Sequence, residues 1–193
     1  MVLLLQYMLL FASVLALVAL GGCFSEHSGV INLGLEGVMV IGALGGALVL
    51  KYMPAGSPAA LIVILTVIGA VICGALYSSL LGIAAIKFNA DQTLVGTAMN
   101  MLATAVASVL VKAINLSEDS SNTSSVVTYI ENKPALTLRI GDFEFNWFML
   151  LALLAVIGAY ILLYKTKFGL RLMACGENPQ AADSVGINVY KMR

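Results

Sequence analysis

Five long apolar runs divide the chain, at about residues 2–21, 35–52, 59–86, 93–114 and 147–164. Each is long enough to cross a hydrocarbon core of about 30 Å as a helix. None alternates apolar and polar residues with the two-residue period of a membrane β-barrel strand. The pattern predicts an all-α fold, a polytopic transmembrane helix bundle of about five spans. The third run exceeds what a perpendicular helix needs, which predicts a tilt or an extension beyond the hydrocarbon. The turn sequence MPAGSP (53–58) separates the second run from the third, and KFNADQ (87–92) separates the third from the fourth.

Composition agrees with the pattern. The chain is 61% hydrophobic and 10% charged, against about 25% charged residues in soluble chains. Its formal net charge of +0 gives no electrostatic footprint for nucleic acid. Basic residues near span ends favour the cytoplasm. The segment 165–193 carries Lys165, Lys167, Arg171, Lys191 and Arg193, so it is placed inside. The segment 115–146 carries Glu118, Asp119, Glu131, Asp142 and Glu144 against Lys133 and Arg139, so it is placed outside as an extracytoplasmic insert. Counting back, Lys87 falls inside, MPAGSP outside and the first residues outside. Within the insert, residues 116–125 read as a mobile polar loop. Residues 135–148 alternate around Gly141-Asp142, which predicts a β-hairpin with Leu136, Leu138 and Ile140 on one face. Asn115 and Asn122 each open a glycosylation-type triplet, a pattern short enough to arise by chance.

Cys23, Cys73 and Cys175 lack metal-ligand spacing and read as small apolar residues in or near helices. The run LGGC ending at Cys23 resembles a lipoprotein cleavage box. A signal peptide opens with a basic region, however, and the first Lys or Arg is Lys51. Pairs of small residues, Gly42 with Gly46 and Ala70 with Gly74, followed by Gly82, predict close helix packing.

The polar residues inside this apolar frame are few. The stretch FSEHSGVINLGLEG (24–37) falls at the inner ends of the first two spans. Glu26, His27 and Ser28 read as boundary residues, and Gly29, Gly34 and Gly37 as interrupting or ending helices. A broken helix beside polar side chains is a recurring way to build a transport site. Asn32 and Glu36 are therefore candidates for the substrate pathway or its gating. The competing reading anchors them structurally, with Glu36 complementing the positive end of the second span. Asp91 is a natural cap for the fourth span, with Gln92 beside it as a further pathway candidate. Asn100, about two turns in, must bond a neighbouring helix or line a cavity.

In the tail, Asn178 can cap a helix whose first residue is Pro179, and Gly186 suits the position past its end. A helix of about two turns over 179–185 follows, too short to stand without a docking surface. QAADSVG (180–186) resembles the EAA loop of ABC-importer permeases, with Gln180 where that motif usually has glutamate. FGLRLMACGENPQAADSVGIN (168–188), SEHSGVINLGLEGVM (25–39) and ADQTLVGTAMNMLA (90–103) together resemble one family. It is the inner-membrane permeases of bacterial sugar and nucleoside ABC importers, and the first string looks most like the shorter permease of nucleoside-type systems.

That resemblance implies a multi-pass subunit translocating nucleosides or related simple sugars. It implies partners as well: cytoplasmic ABC ATPase subunits, a second permease subunit (a paralogous heterodimer), an extracytoplasmic substrate-binding lipoprotein and membrane lipid. Glu177, Asn178, Pro179, Gln180, Ala181, Ala182, Asp183 and Gly186 would form the ATPase-coupling segment. Family members continue into further spans, so residues 1–193 are expected to be one incomplete transmembrane domain. No GxxxxGK[ST] loop is present, so ATP hydrolysis is expected on a separate subunit, and no cofactor or metal cluster is expected. A membrane-embedded enzyme would need a paired acid and base, which the sequence does not show. A non-transporting membrane scaffold or regulatory protein is the alternative function.

Overall fold

In a computed structural model, residues 2–54, 56–127, 136–140 and 143–192 are described. The Gly141-Asp142 turn and the stretch 128–135 lie outside them. The long helices are α1 (Val2–His27), α2 (Leu35–Tyr52), α3 (Ala59–Gly82), α4 (Gln92–Glu118) and α5 (Trp147–Lys165). These five are long and apolar enough to cross a membrane. Three short helices follow, α6 (Lys167–Glu177), α7 (Pro179–Ser184) and α8 (Val189–Met192). The all-α polytopic bundle is the observed architecture.

Element ends follow local chemistry. The Asp91 carboxylate caps α4, accepting from Thr93 N (2.8 Å) and Leu94 N (3.3 Å). Asn146 caps α5 through Phe148 N, and Thr166 caps α6 through Gly169 N. Such side chains satisfy amides that the first helical turn leaves unpaired. Beyond Gly82 the chain makes one π-helical turn, Ile83–Lys87, and Asn89 then takes a left-handed φ of 50°.

Two boundaries differ from expectation. The helix α1 continues past Gly21 to His27, because polar residues are tolerated where a helix leaves the hydrocarbon. His27 Nδ1 donates back to Cys23 O at 2.7 Å, and its ring meets Tyr164 edge-on at 6.2 Å. Likewise α4 runs through Asn115 to Glu118, into the segment assigned to the insert. Asn115 is fully buried, and its amide donates to Ser124 O (2.9 Å) and Val126 O (2.8 Å). The first half of the insert is thus folded back onto the end of α4. The Ser121 N–H and hydroxyl both donate to Asp119 Oδ1, at 2.9 and 2.7 Å, and hold its carboxyl below the ordinary value.

The predicted hairpin is present: β1 (Thr137–Ile140) and β2 (Phe143–Asn146) pair antiparallel with Ile140 opposite Phe143. Leu138 and Ile140 side chains lie outside what is described. Phe145 and Met149 border a cavity of about 370 Å³ with Leu9, Ala12 and Ser13 of α1.

Small residues set the α2–α3 crossing. A Cβ on Gly42 would lie 3.3 Å from Ala70 O, and one on Gly46 would lie 3.3 Å from Ala70 Cβ. On Gly45 it would strike Cys73 Cβ at 2.7 Å. Van der Waals contact of this kind is what holds helices together in lipid. Gly82 does not belong to the set, since nothing stands within 4 Å of its Cβ position. At the C-terminal ends of α2 and α4, Lys51 Nζ lies 2.8 Å from each carboxylate oxygen of Glu118. Many large apolar side chains of α1 face outward, among them Leu4, Met8, Phe11 and Leu15. That surface suits lipid or neighbouring helices.

Candidate functional site

Between α1 and α2 the chain is not helical over residues 28–34, and backbone amides there need other partners. Gly29 turns the corner with φ 79°. Ser25 Oγ donates to Val30 O at 2.5 Å, and Ser28 Oγ to Ser25 O at 2.7 Å. Asn32 Oδ1 accepts from Gly34 N at 3.0 Å, forming a local side-chain turn.

The rest of the support comes from α4. Gln92 Oε1 accepts from Ile31 N at 2.7 Å. Asn100 Nδ2 donates to Leu33 O at 2.9 Å, while its Oδ1 accepts from Gly37 N at 2.7 Å. Gly34, the N-cap residue of α2, offers no side-chain acceptor. Gly37 is the third residue of that helix, the position whose amide an N-cap side chain ordinarily satisfies. Asn100 therefore caps α2 from another helix. Gly96, one turn earlier, lets the strands of chain touch: a Cβ there would lie 2.9 Å from Gly34 N. From α3, Tyr77 OH donates to Met99 O at 2.6 Å. The small buried cluster of Val30, Leu81 and Met99 fills the space beneath.

On the other side of this loop lie α6 and α7. Asn178 Oδ1 accepts from Ala181 N at 3.1 Å, with Pro179 at the first helical position. At the far end Gly186 (φ 83°) donates to Asp183 O at 2.9 Å, and Ile187 N to Ala182 O at 3.1 Å. That pair of bonds is the Schellman arrangement. Gly176 seats the segment against the corner of the loop, because a Cβ there would overlap His27 O and approach Gly29 N at 3.1 Å. A cavity of about 280 Å³ is bordered by Val30, Asn89 and Gln92 on one side and by Pro179, Gln180 and Asp183 on the other.

These contacts join the break between two candidate membrane spans to a capped short helix. The family described as branched-chain amino acid transport system / permease component matches residues 4–193. The chain belongs to that permease family. It is 41% identical over 194 residues to the guanosine ABC transporter permease protein NupQ of Bacillus subtilis (strain 168), covering 96% of this chain and 59% of that protein. It is 37% identical over 195 residues to the nucleoside ABC transporter permease protein NupC of Lactococcus lactis subsp. cremoris, again covering 96% and 59%. The chain thus spans 59% of the length of both relatives. No solved structure matches it. As a permease of this family it is a multi-pass protein of the inner membrane.

Of the pathway candidates, Asn32, Gln92 and Asn100 converge on the permease's loop 28–34. Glu36 does not join them; it is exposed in the first turn of α2. Gly37 does not interrupt a helix as expected. It lies inside α2, buried 3.0 Å (from its Cβ position) from Met99 O and beside Asn100 and Ala103. Among the coupling candidates, Ala182 is buried against its own chain, whereas Gln180, Ala181 and Asp183 are exposed. Glu177 borders a second cavity, of about 340 Å³, with Glu26, His27 and Gly176. Sequence reasoning missed Gly96 and Gly176. For Gly96 a signal exists, since Gly96 and Ala103 flank Asn100 on one helix face.

Proposed function

We propose that this chain is the transmembrane permease part of an ATP-driven importer for nucleosides or related simple sugars. The observation that carries the reading is the agreement over nearly the whole chain with permeases named for guanosine and nucleoside transport. ATP hydrolysis belongs to separate cytoplasmic ATPase subunits, which dock on α7 through exposed Gln180, Ala181, Asp183 and Val185. A second, paralogous permease subunit and an external binding lipoprotein complete the assembly, with residues 1–193 forming one part of its transmembrane domain.

The geometry supports a mechanical route. Displacement of α7 is passed by α6, through the backbone contact of Gly176 with His27, to the corner at Gly29. The loop beyond that corner is tied to α4 by Gln92 and Asn100. Asn32 and Glu36, held between these ties, would then move together with α4 as the ATPases close, which gives them gating roles. A route of this kind needs two discrete arrangements at its ends. Uptake of radiolabelled guanosine, other nucleosides and ribose into cells with and without the full-length gene tests the proposal. ATP-dependent uptake of a nucleoside is expected; unchanged uptake of all of them rejects it.

A further inference from the structure

One helix carries polarity that neither the loop clasp nor the coupling segment uses. Thr97, Thr104, Ser108 and Lys112 of α4 stand at i, i+7, i+11 and i+15, so they share one face. All four are exposed. The face lies between the side buried against α2, which holds Gly96, Met99 and Ala103, and an apolar exposed side with Leu102 (51% exposed) and Val109 (65%), and it also carries the exposed Leu94 (70%) and Met101 (76%). Thus α4 has a packing side, a lipid-suited side and, between them, a stripe in which four polar side chains are interleaved with Leu94 and Met101.

The stripe's hydrogen bonding is specific. The Thr97 hydroxyl donates to Thr93 O and Leu94 O, both at 3.0 Å. Thr104 donates to Met101 O at 3.0 Å, and Ser108 to Thr104 O at 2.8 Å. Each hydroxyl hydrogen is spent within the helix, leaving oxygen lone pairs facing outward as acceptors. Lys112 follows on the same face, six residues before Glu118 and so about 9 Å along the axis from the ion-paired end. An ammonium group there faces water or protein interior, or reaches along the helix to the interface.

We propose that this stripe is the wall of the water-filled substrate path, with acceptors at Thr97, Thr104 and Ser108 and the Lys112 charge at its outer mouth. It takes an uncharged solute rich in O–H and N–H donors, which is the chemistry of a nucleoside or sugar. The inference rests on the importer reading above, and names where along α4 the solute runs.

The test uses the complete transporter with Cys23, Cys73 and Cys175 replaced by serine. Single cysteines at Thr97, Thr104, Ser108, Leu102 and Val109 are exposed to a membrane-impermeant cationic methanethiosulfonate. The three stripe positions are expected to react at least about tenfold faster than Leu102→Cys and Val109→Cys, and guanosine is expected to slow Thr104→Cys and Ser108→Cys. Equal rates on both faces, or no reaction on the stripe, overturn the proposal, as would occur if a partner helix covers it. Reaction that a demonstrably transported nucleoside fails to slow also overturns it. In the otherwise native protein, Thr104→Val keeps the shape without the acceptor and should reduce guanosine uptake about tenfold, while Thr104→Ser retains it. Failure of the importer reading is seen separately: absent uptake with an intact labelling contrast removes the substrate class and leaves the wet face.

Discussion

Asn100 on α4 holds both sides of the break that precedes α2, donating to Leu33 O at 2.9 Å and accepting from Gly37 N at 2.7 Å. Its amide does for α2 what Gly34 cannot. Removing it in Asn100→Leu leaves a carbonyl and an amide unpaired at the edge of the membrane. The expected cost is about 1–3 kcal/mol, seen as a lower melting temperature of the detergent-purified transporter. Uptake should fall with it. Lost uptake at unchanged melting temperature would mean that Asn100 serves the substrate and not the clasp.

How much of this was legible in the sequence varies with the range of the interaction. Span positions were, because each helix carries its own apolar run and its own breakers. So were the Asp91 cap and the ends of α7, whose bonds reach only two to five residues along the chain. The partners of Asn100 were not, because they are backbone groups 67 and 63 residues away and leave no side-chain pattern. Gly37 shows the same limit from the other side. A glycine that ends a helix and one that admits a neighbour look alike until the neighbour is known. The polar stripe of α4 could be drawn from spacing alone, yet its meaning depends on which faces α2 and lipid occupy.

Gly96 separates contact glycines from idle ones. A Cβ there meets Leu33 Cβ at 2.9 Å and Leu33 C at 3.0 Å, and backbone cannot turn aside as a side chain can. Gly96→Val should push the loop off α4 and break the Gln92 and Asn100 bonds with it. A cost of about 2–4 kcal/mol follows from overpacking plus the lost hydrogen bonds. Gly158 in α5 has open space at its Cβ position. Gly158→Ala should leave the melting temperature unchanged or raise stability by up to about 1 kcal/mol. Thermal denaturation of both variants side by side makes the comparison; equal effects would contradict it.

The Lys51–Glu118 pair ties the C-terminal ends of α2 and α4, and the lysine side chain is only 10% exposed. Lys51→Glu alone sets two carboxylates against each other. Adding Glu118→Lys restores attraction with the charges exchanged. The two single variants should each lose stability, and the double variant should recover part of it, with a coupling of about 1 kcal/mol. A double-mutant cycle read from melting temperatures at low and high salt checks this. Additive losses would show that the pair contributes nothing.

Gly186 ends α7 with φ 83°, a conformation that costs a residue with a Cβ about 1–2 kcal/mol. Nothing stands within 4 Å of its Cβ position, so the strain of a substitution is conformational and not steric. Gly186→Val should unwind the Schellman bonds to Asp183 and Ala182 and blur the end of the helix proposed to meet the ATPases. Asparagine tolerates the left-handed region better than other residues, so Gly186→Asn should keep the turn. The expected result is normal membrane insertion in both variants, with ATP-driven uptake lost in Gly186→Val and largely kept in Gly186→Asn. Membrane fractionation, ATPase activity of the assembled complex and uptake together distinguish the outcomes. Full transport by Gly186→Val would reject α7 as the coupling element. Equal loss in both variants would point to the exposed surface at Gly186, and not its backbone, as what the partner reads.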